Sequence, residues 1–262
     1  MKVIQILFLS FFILSCDVDP LVYENDLDPQ NPTFTEPETI IKPVSTDKFQ
    51  VNSFVIEWEG NISSMEFSHK LDQKNWSDWD IQTSTTLNYL DEGSHVFLVQ
   101  GRYLSGYIEA TPDSLTFITD AVTGPALRFE PMYKEVVNSE PFSIDIMAED
   151  LSNVAGVEVF ILFDPSVLAY QSIDKGEFFE RAQGQVLEIT KLKAANLLQI
   201  DIGAFNGTKS AVSGSGIIAT LNFTSLKLGQ SSLSIQQEST LRDKDNNILT
   251  VNALVSGLIV VK

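Results

Sequence analysis

Few residues in this chain of 262 have side chains that readily do chemistry, and their spacing can be checked first. There are two histidines, His69 in "EFSHKLD" and His95 in "EGSHVF". Neither has a second histidine at metal-ligand spacing. The serines of "SGSG" at 213–216 lack the strand–turn–helix setting of an activated nucleophile and read as a flexible loop. "DKDNN" gathers Asp243, Asp245, Asn246 and Asn247 into one acidic turn. It lacks the spacing and terminal Glu of an EF-hand calcium loop. A tight hairpin accounts for it better, since Asx side chains bond their own backbone and tolerate left-handed geometry. Paired carboxylates can hydrolyse glycosidic bonds, and an acidic chain has carboxylates to spare; two small sandwiches without long active-site loops argue against that chemistry. The chain is therefore read as no enzyme, with no catalytic residue, no metal site and no cofactor. Trp58, Trp76 and Trp79 form either a sugar platform or core and turn packing.

The elements that must position any site begin with "MKVIQILFLSFFILSC". One Lys precedes a short apolar run, which describes a secretory signal over residues 1–15. The run is too short for a membrane-spanning helix, which needs about twenty residues. A Cys at the cleavage point resembles the lipobox of bacterial lipoproteins. That resemblance implies lipid attachment at Cys16, membrane contact through the acyl chains, and a place in the bacterial cell envelope at the outer membrane or cell surface. With its only Cys lipidated, the mature chain forms no disulfide, so packed cores must stabilise it. A formal charge of −18 disfavours nucleic acid as a partner. Residues 16–47 are rich in Pro and acidic residues with little apolar periodicity, which predicts an extended linker.

Residues 48–120 change to short alternating runs. "FVIEWEG" puts Phe54, Ile56 and Trp58 on one face, and "TTLNYL", "DEG" and "SHVFLVQGRY" read as strand, tight turn and strand. Several strands in so short a span predict a small β-sandwich. "FSHKLDQKNWSDWD", "LDEGSHVFLVQ" and "TPDSLTF" resemble the immunoglobulin-like or fibronectin-like modules of bacterial surface proteins. "AVTGPA" at 121–126 marks a domain boundary. Residues 125–262 are again all-β: "PFSIDIMAED", "QVLEITKLK", "NLLQIDIGAF", "GIIATLNFTSL" and "SGLIVVK" are separated by Gly, Asn, Asp and Ser clusters.

One strand stands apart. In "GVEVFILFDPSVL", Val157, Val159, Ile161 and Phe163 can face a core. The opposite face then carries Glu158, Phe160 and Leu162, two of them large and apolar. Leaving such rings and chains in water forfeits roughly 1.5–3 kcal/mol each. Three covers are open: the preceding domain, a loop of the same domain, or another protein.

Around that strand, Phe163-Asp164-Pro165, Leu168, Gly176 and Phe178-Phe179, with "GSGIIATLNF", "LRDKDNNIL" and the terminal "SGLIVV", resemble the cohesin family. The resemblance implies a nine-stranded jelly-roll sandwich presenting one sheet to dockerin, a calcium-loaded partner module. It places Glu158 at an acidic contact position, with Phe160 and Leu162 on the same sheet. In "NLLQIDIGAF", with Leu198, Ile200 and Ile202 inward, Gln199 and Asp201 face outward beside them. Gly156 departs from the Asn often found there in the family. The expected function is docking of a dockerin-type protein partner, linked to polysaccharide binding or degradation. The alternatives are direct carbohydrate binding, though the second domain lacks Trp and Tyr133 and Tyr170 share no strand, and a structural spacer.

Overall fold

The computed structural model describes residues 25–44, 49, 52–206 and 211–262. The expected signal segment and the expected lipid attachment site at Cys16 lie outside these residues. Two separate hydrophobic cores organise the rest.

The first core is built from period-two strands: β1 Thr39–Ile41, β2 Phe54–Gly60, β3 Met65–Leu71, β4 Ser84–Leu87, β5 Gly93–Tyr103 and β6 Asp113–Thr119. They form two three-stranded sheets, β1-β2-β4 and β3-β5-β6. Along β2, Ile56 and Trp58 are 0 and 1% exposed while their neighbour Val55 is 52% exposed. Trp58 is thus a core residue, packed near Phe67 and Phe97. Trp76 and Trp79 are not in the core; Lys70 and Arg102 lie over their respective rings.

The linker expected over 16–47 is corrected where the structure describes it. Residues 25–44 are bound to the first sandwich. The Phe34 ring meets Tyr107 edge-on at 5.0 Å, and the Tyr103 hydroxyl donates to the Thr35 carbonyl at 2.8 Å. β1 pairs antiparallel with β2. The buried Glu109 carboxylate accepts the Thr39 N–H at 2.9 Å and the Gly101 N–H at 2.8 Å. Asp113 accepts the Ile41 N–H at 2.7 Å. The physical reason is local: Phe34 and the β-branched "TII" have a surface to bury against, although the segment's average composition is polar. Glu109→Ala should leave two backbone donors unpaired, costing about 3 kcal/mol. Amide exchange at Thr39 would rise with it; unchanged protection there would contradict the clamp.

The second core lies between two sheets. Its strands are β7 Ala126–Glu130, β8 Tyr133–Val136, β9 Pro141–Val154, β10 Gly156–Leu162, β11 Leu168–Lys175, β12 Gln185–Ala194, β13 Leu197–Phe205, β14 Val212–Ser225, β15 Gly229–Ile235, β16 Thr240–Arg242, β17 Ile248–Leu249, β18 Ala253–Val255 and β19 Gly257–Val261. One sheet runs β12-β13-β10-β15-β19-β8, with β16 also pairing β10; the other runs β11-β14-β9-β7-β18. Most pairs are antiparallel, while β18–β7 and β19–β8 are parallel. The fold is all-β, a sandwich in which inward residues of both sheets meet, among them Phe129, Ile146, Ile161, Ile200 and Phe223. The Asp164-Pro165 turn ends β10's run as Pro removes a ladder donor; Asp164 caps it by accepting the Ser166 N–H.

"SGSG" is not a flexible loop. It lies in β14, opposite the end of β9, where the register shifts. Gly214 and Gly216 there take φ of 105° and 159°. The Ser215 and Ser213 hydroxyls accept the Asp150 and Asn153 N–H groups, so these serines fasten an irregular edge.

The sandwiches touch through a short loop. The Met132 N–H donates to Asp91 Oδ1 at 2.6 Å. The Asp91 carbonyl sits 2.9 Å from Nε2 of the buried His95, whose Nδ1 is 2.8 Å from Asp72. Burial works against the charged imidazole, but the Asp72 hydrogen bond, the Asp91 carbonyl and both carboxylates together hold its pKa above the ordinary value. A raised folded pKa means the pairing stabilises fully below the unfolded value of about 6.5 and is lost as pH rises through the folded one. The melting temperature of the chain relative to His95→Gln should therefore be highest at acidic pH and converge above neutrality. A constant difference across that range would refute the coupling.

Candidate protein-docking face

Strand β10 alternates strictly. Val157, Val159 and Ile161 are buried, while Glu158, Phe160 and Leu162 are half-buried on the outer side. Its neighbour β13 buries Leu198, Ile200 and Ile202. The register sets Glu158 opposite Asp201, Phe160 opposite Gln199 and Leu162 opposite Leu197. Directly opposed residues share a face, so all five expected contact residues lie together on one outer surface. The Gln199 amide donates to Glu158 Oε1 at 2.8 Å and to Asp201 Oδ2 at 3.1 Å. It thereby fixes the two carboxylates side by side, with lone pairs left for a cationic or hydroxyl donor.

Phe160 and Leu162 are covered in part by their own chain. The Phe160 N–H donates to the Ser239 hydroxyl and its carbonyl accepts the Gln236 N–H. Between this turn and Leu197 remains an open hollow of about 240 Å³ lined by Phe160, Leu162, Gln236 and Glu238. The first sandwich does not line it. Of the three covers, then, the same-domain loop supplies a partial one, and the surface stays accessible.

The sequence reading missed a second apolar group on this face. Leu187 and Ile189 of β12 oppose Gly203 and Asp201 and are 53% and 42% exposed. With Phe205 they edge a trough of about 410 Å³ whose floor is the Gly156–Gly203 pair and whose far side holds Glu158 and Arg242. A Cβ at Gly203 would come within 2.7 Å of the Ala155 carbonyl oxygen, so no side chain fits there; at Gly156 the nearest atom is 3.6 Å away. The signal was present: "QVLEITK" has apolar residues on both parities, as "GVEVFIL" does. The whole face thus reads apolar, acidic, apolar, which is the composition of an interface core with polar groups set into it.

The acidic turn is a hairpin. Asp243 accepts the Asp245 and Asn247 N–H groups and the Asn247 amide. Those Asn247 bonds hold its carboxyl below the usual range, and Lys244 pairs with Asp245. Among the described residues, no group of three or more His, Cys, Asp or Glu is placed to hold a metal ion.

Residues 139–261 match the family model described as the cohesin domain. The match falls on the second sandwich and spans all five expected contact residues. Among solved structures, the sixth cohesin of scaffoldin B from Acetivibrio cellulolyticus, in complex with a dockerin, is similar at 17% identity over 53% of this chain and 100% of its own, with TM-score 0.46. A non-cellulosomal cohesin from the archaeon Archaeoglobus fulgidus is 16% identical over 52% of this chain and 90% of its own, TM-score 0.43. A cohesin module of a Clostridium perfringens family 33 glycoside hydrolase is 13% identical over 49% and 90%, TM-score 0.40. A search of curated proteins gives no match.

Proposed function

We propose that this chain is a non-catalytic bacterial surface protein, anchored by lipid at Cys16, whose second sandwich docks a dockerin-type module on the outer face of its larger sheet. The observation that carries the reading is the convergence of Glu158, Phe160, Leu162, Gln199 and Asp201 on one accessible surface inside the stretch that matches the cohesin family. Half-buried apolar side chains there gain further burial only when a partner arrives, and the bridged carboxylates set its orientation. The role in polysaccharide capture or breakdown belongs to the docked module, with this chain holding it at the envelope. Direct sugar binding by the second sandwich finds little support, because Tyr170 packs against the core ring of Phe223. Titration calorimetry of the chain lacking its first sixteen residues, against a panel of purified calcium-loaded dockerin modules, tests the proposal. Saturable binding of at least one member is expected; no binding across the panel would contradict it.

A further inference from the structure

The outer face does not end at Leu162. Leu162 pairs with Ser234, Ser232 with Leu258, and Leu258 and Val260 with Tyr133 and Glu135. Tyr133 and Glu135 therefore stand on the same side of the sheet, at its last strand. The first sandwich rises beside them. Lys74 lies 4.6 Å from the centre of the Tyr133 ring, and the two sandwiches border a cleft of about 370 Å³. Sites for small molecules favour such domain junctions and such volumes.

The lining has a definite chemistry. Tyr89 and Tyr133 supply planar rings, Asn88 an amide, and Lys70 and Lys74 two ammonium groups. In a chain of charge −18, two cations in one cleft are notable for what they lack. Lys70 lies over Trp76 and Lys74 over Tyr133, and among the described residues neither comes within ion-pair distance of a carboxylate. Glu135 at the cleft's edge is already paired with Lys262 at 2.7 Å and accepts the Tyr133 hydroxyl. Tyr89 is held at φ 54°, a conformation costly for a bulky residue, and its ring stays exposed at the mouth. His69 brings an imidazole 3.3 Å from the Ser77 hydroxyl; burial pushes its pKa down, so near neutral pH the ring can both donate and accept.

We propose that this cleft binds a carboxylate-bearing sugar, a uronate or sialate residue of a glycan. Its ring stacks on the tyrosines, its carboxylate meets Lys70 and Lys74, and its hydroxyls reach Asn88 and His69. Glu135 attracts Lys74 from the cleft's edge without reaching ion-pair distance, and a neutral sugar would add no closer counter-charge for Lys70 or Lys74. The site is separate from the docking face around Phe160 and does not rest on the dockerin reading.

The test is titration calorimetry at low salt with the chain lacking its first sixteen residues. The probes are trigalacturonate, a glucuronate trisaccharide, a sialylated trisaccharide and, as the neutral control, cellotriose. At least one acidic probe should bind saturably. Its affinity should fall at least about tenfold in the Lys70→Ala/Lys74→Ala double variant, as expected for loss of charged hydrogen bonds, and weaken with added salt. Tyr89→Ala, which removes a ring at an exposed position, should weaken binding without lowering the melting temperature. Phe160→Asp should leave sugar binding unchanged, which separates this site from the docking face. The proposal is overturned if no acidic probe binds, if cellotriose binds as well as the best acidic probe, or if the double lysine variant binds like the parent.

Discussion

Phe160→Asp is expected to weaken docking of a dockerin-type module by about a hundredfold or more, a loss in the range of interface hot spots. The ring sits at the middle of the outer face, across from Gln199 and next to the hollow beside Leu197. A partner seated there desolvates the position. An Asp would then carry an unpaired charge into that site, on the same strand as Glu158 and two residues from it, so repulsion adds to the lost burial. The fold should tolerate the change, because the side chain is only half-buried and its backbone bonds to Ser239 and Gln236 remain. Calorimetry paired with a thermal melt reads both effects. Retained affinity with an intact fold would remove Phe160 from the interface.

The second large effect comes one residue further along. Ile161 is fully buried in the second core, whereas Leu162 is on the outer face. Ile161→Ala should cost about 2–5 kcal/mol through lost transfer energy and the cavity left behind. For a sandwich of this size that lowers the melting temperature by roughly 10 °C. Leu162→Ala should cost about 1 kcal/mol or less in stability, yet weaken docking by up to about tenfold. The pair therefore separates packing from recognition on adjacent positions of one strand. Equal melting temperatures for the two variants would mean the facing of β10 is wrong.

Much of this was legible in the chain itself. In "GVEVFIL" and "NLLQIDI" the polar Glu158, Gln199 and Asp201 mark the outer parity, and the strand period of two then assigns the other residues their sides. The partnership of Glu158 with Gln199 and Asp201 needed the register between β10 and β13, which the alternation constrains without specifying. Leu187 and Ile189 escaped because "QVLEITKLK" carries apolar residues on both parities, and a buried edge looks the same as an exposed one until its neighbours are known. Phe34, Thr39 and Ile41 escaped for a different reason. A segment's mean polarity says little when a few apolar residues and two distant carboxylates, Glu109 and Asp113, hold it down. The junction between the sandwiches was the least readable part. Lys74 and Tyr133 are far apart in sequence, and only the parallel pairing of β8 with β19 brings the second sheet's outer face up to the first sandwich.

Methyl chemical-shift mapping of the chain with a bound dockerin-type module tests the docking face most directly. The methyl groups of Leu162, Leu187, Ile189 and Leu197 should shift on saturation, while those of Thr220 and Thr224 on the opposite sheet stay where they are. Shifts confined to that opposite sheet or to the first sandwich, with Leu162 and Leu187 unmoved, would contradict docking on this surface.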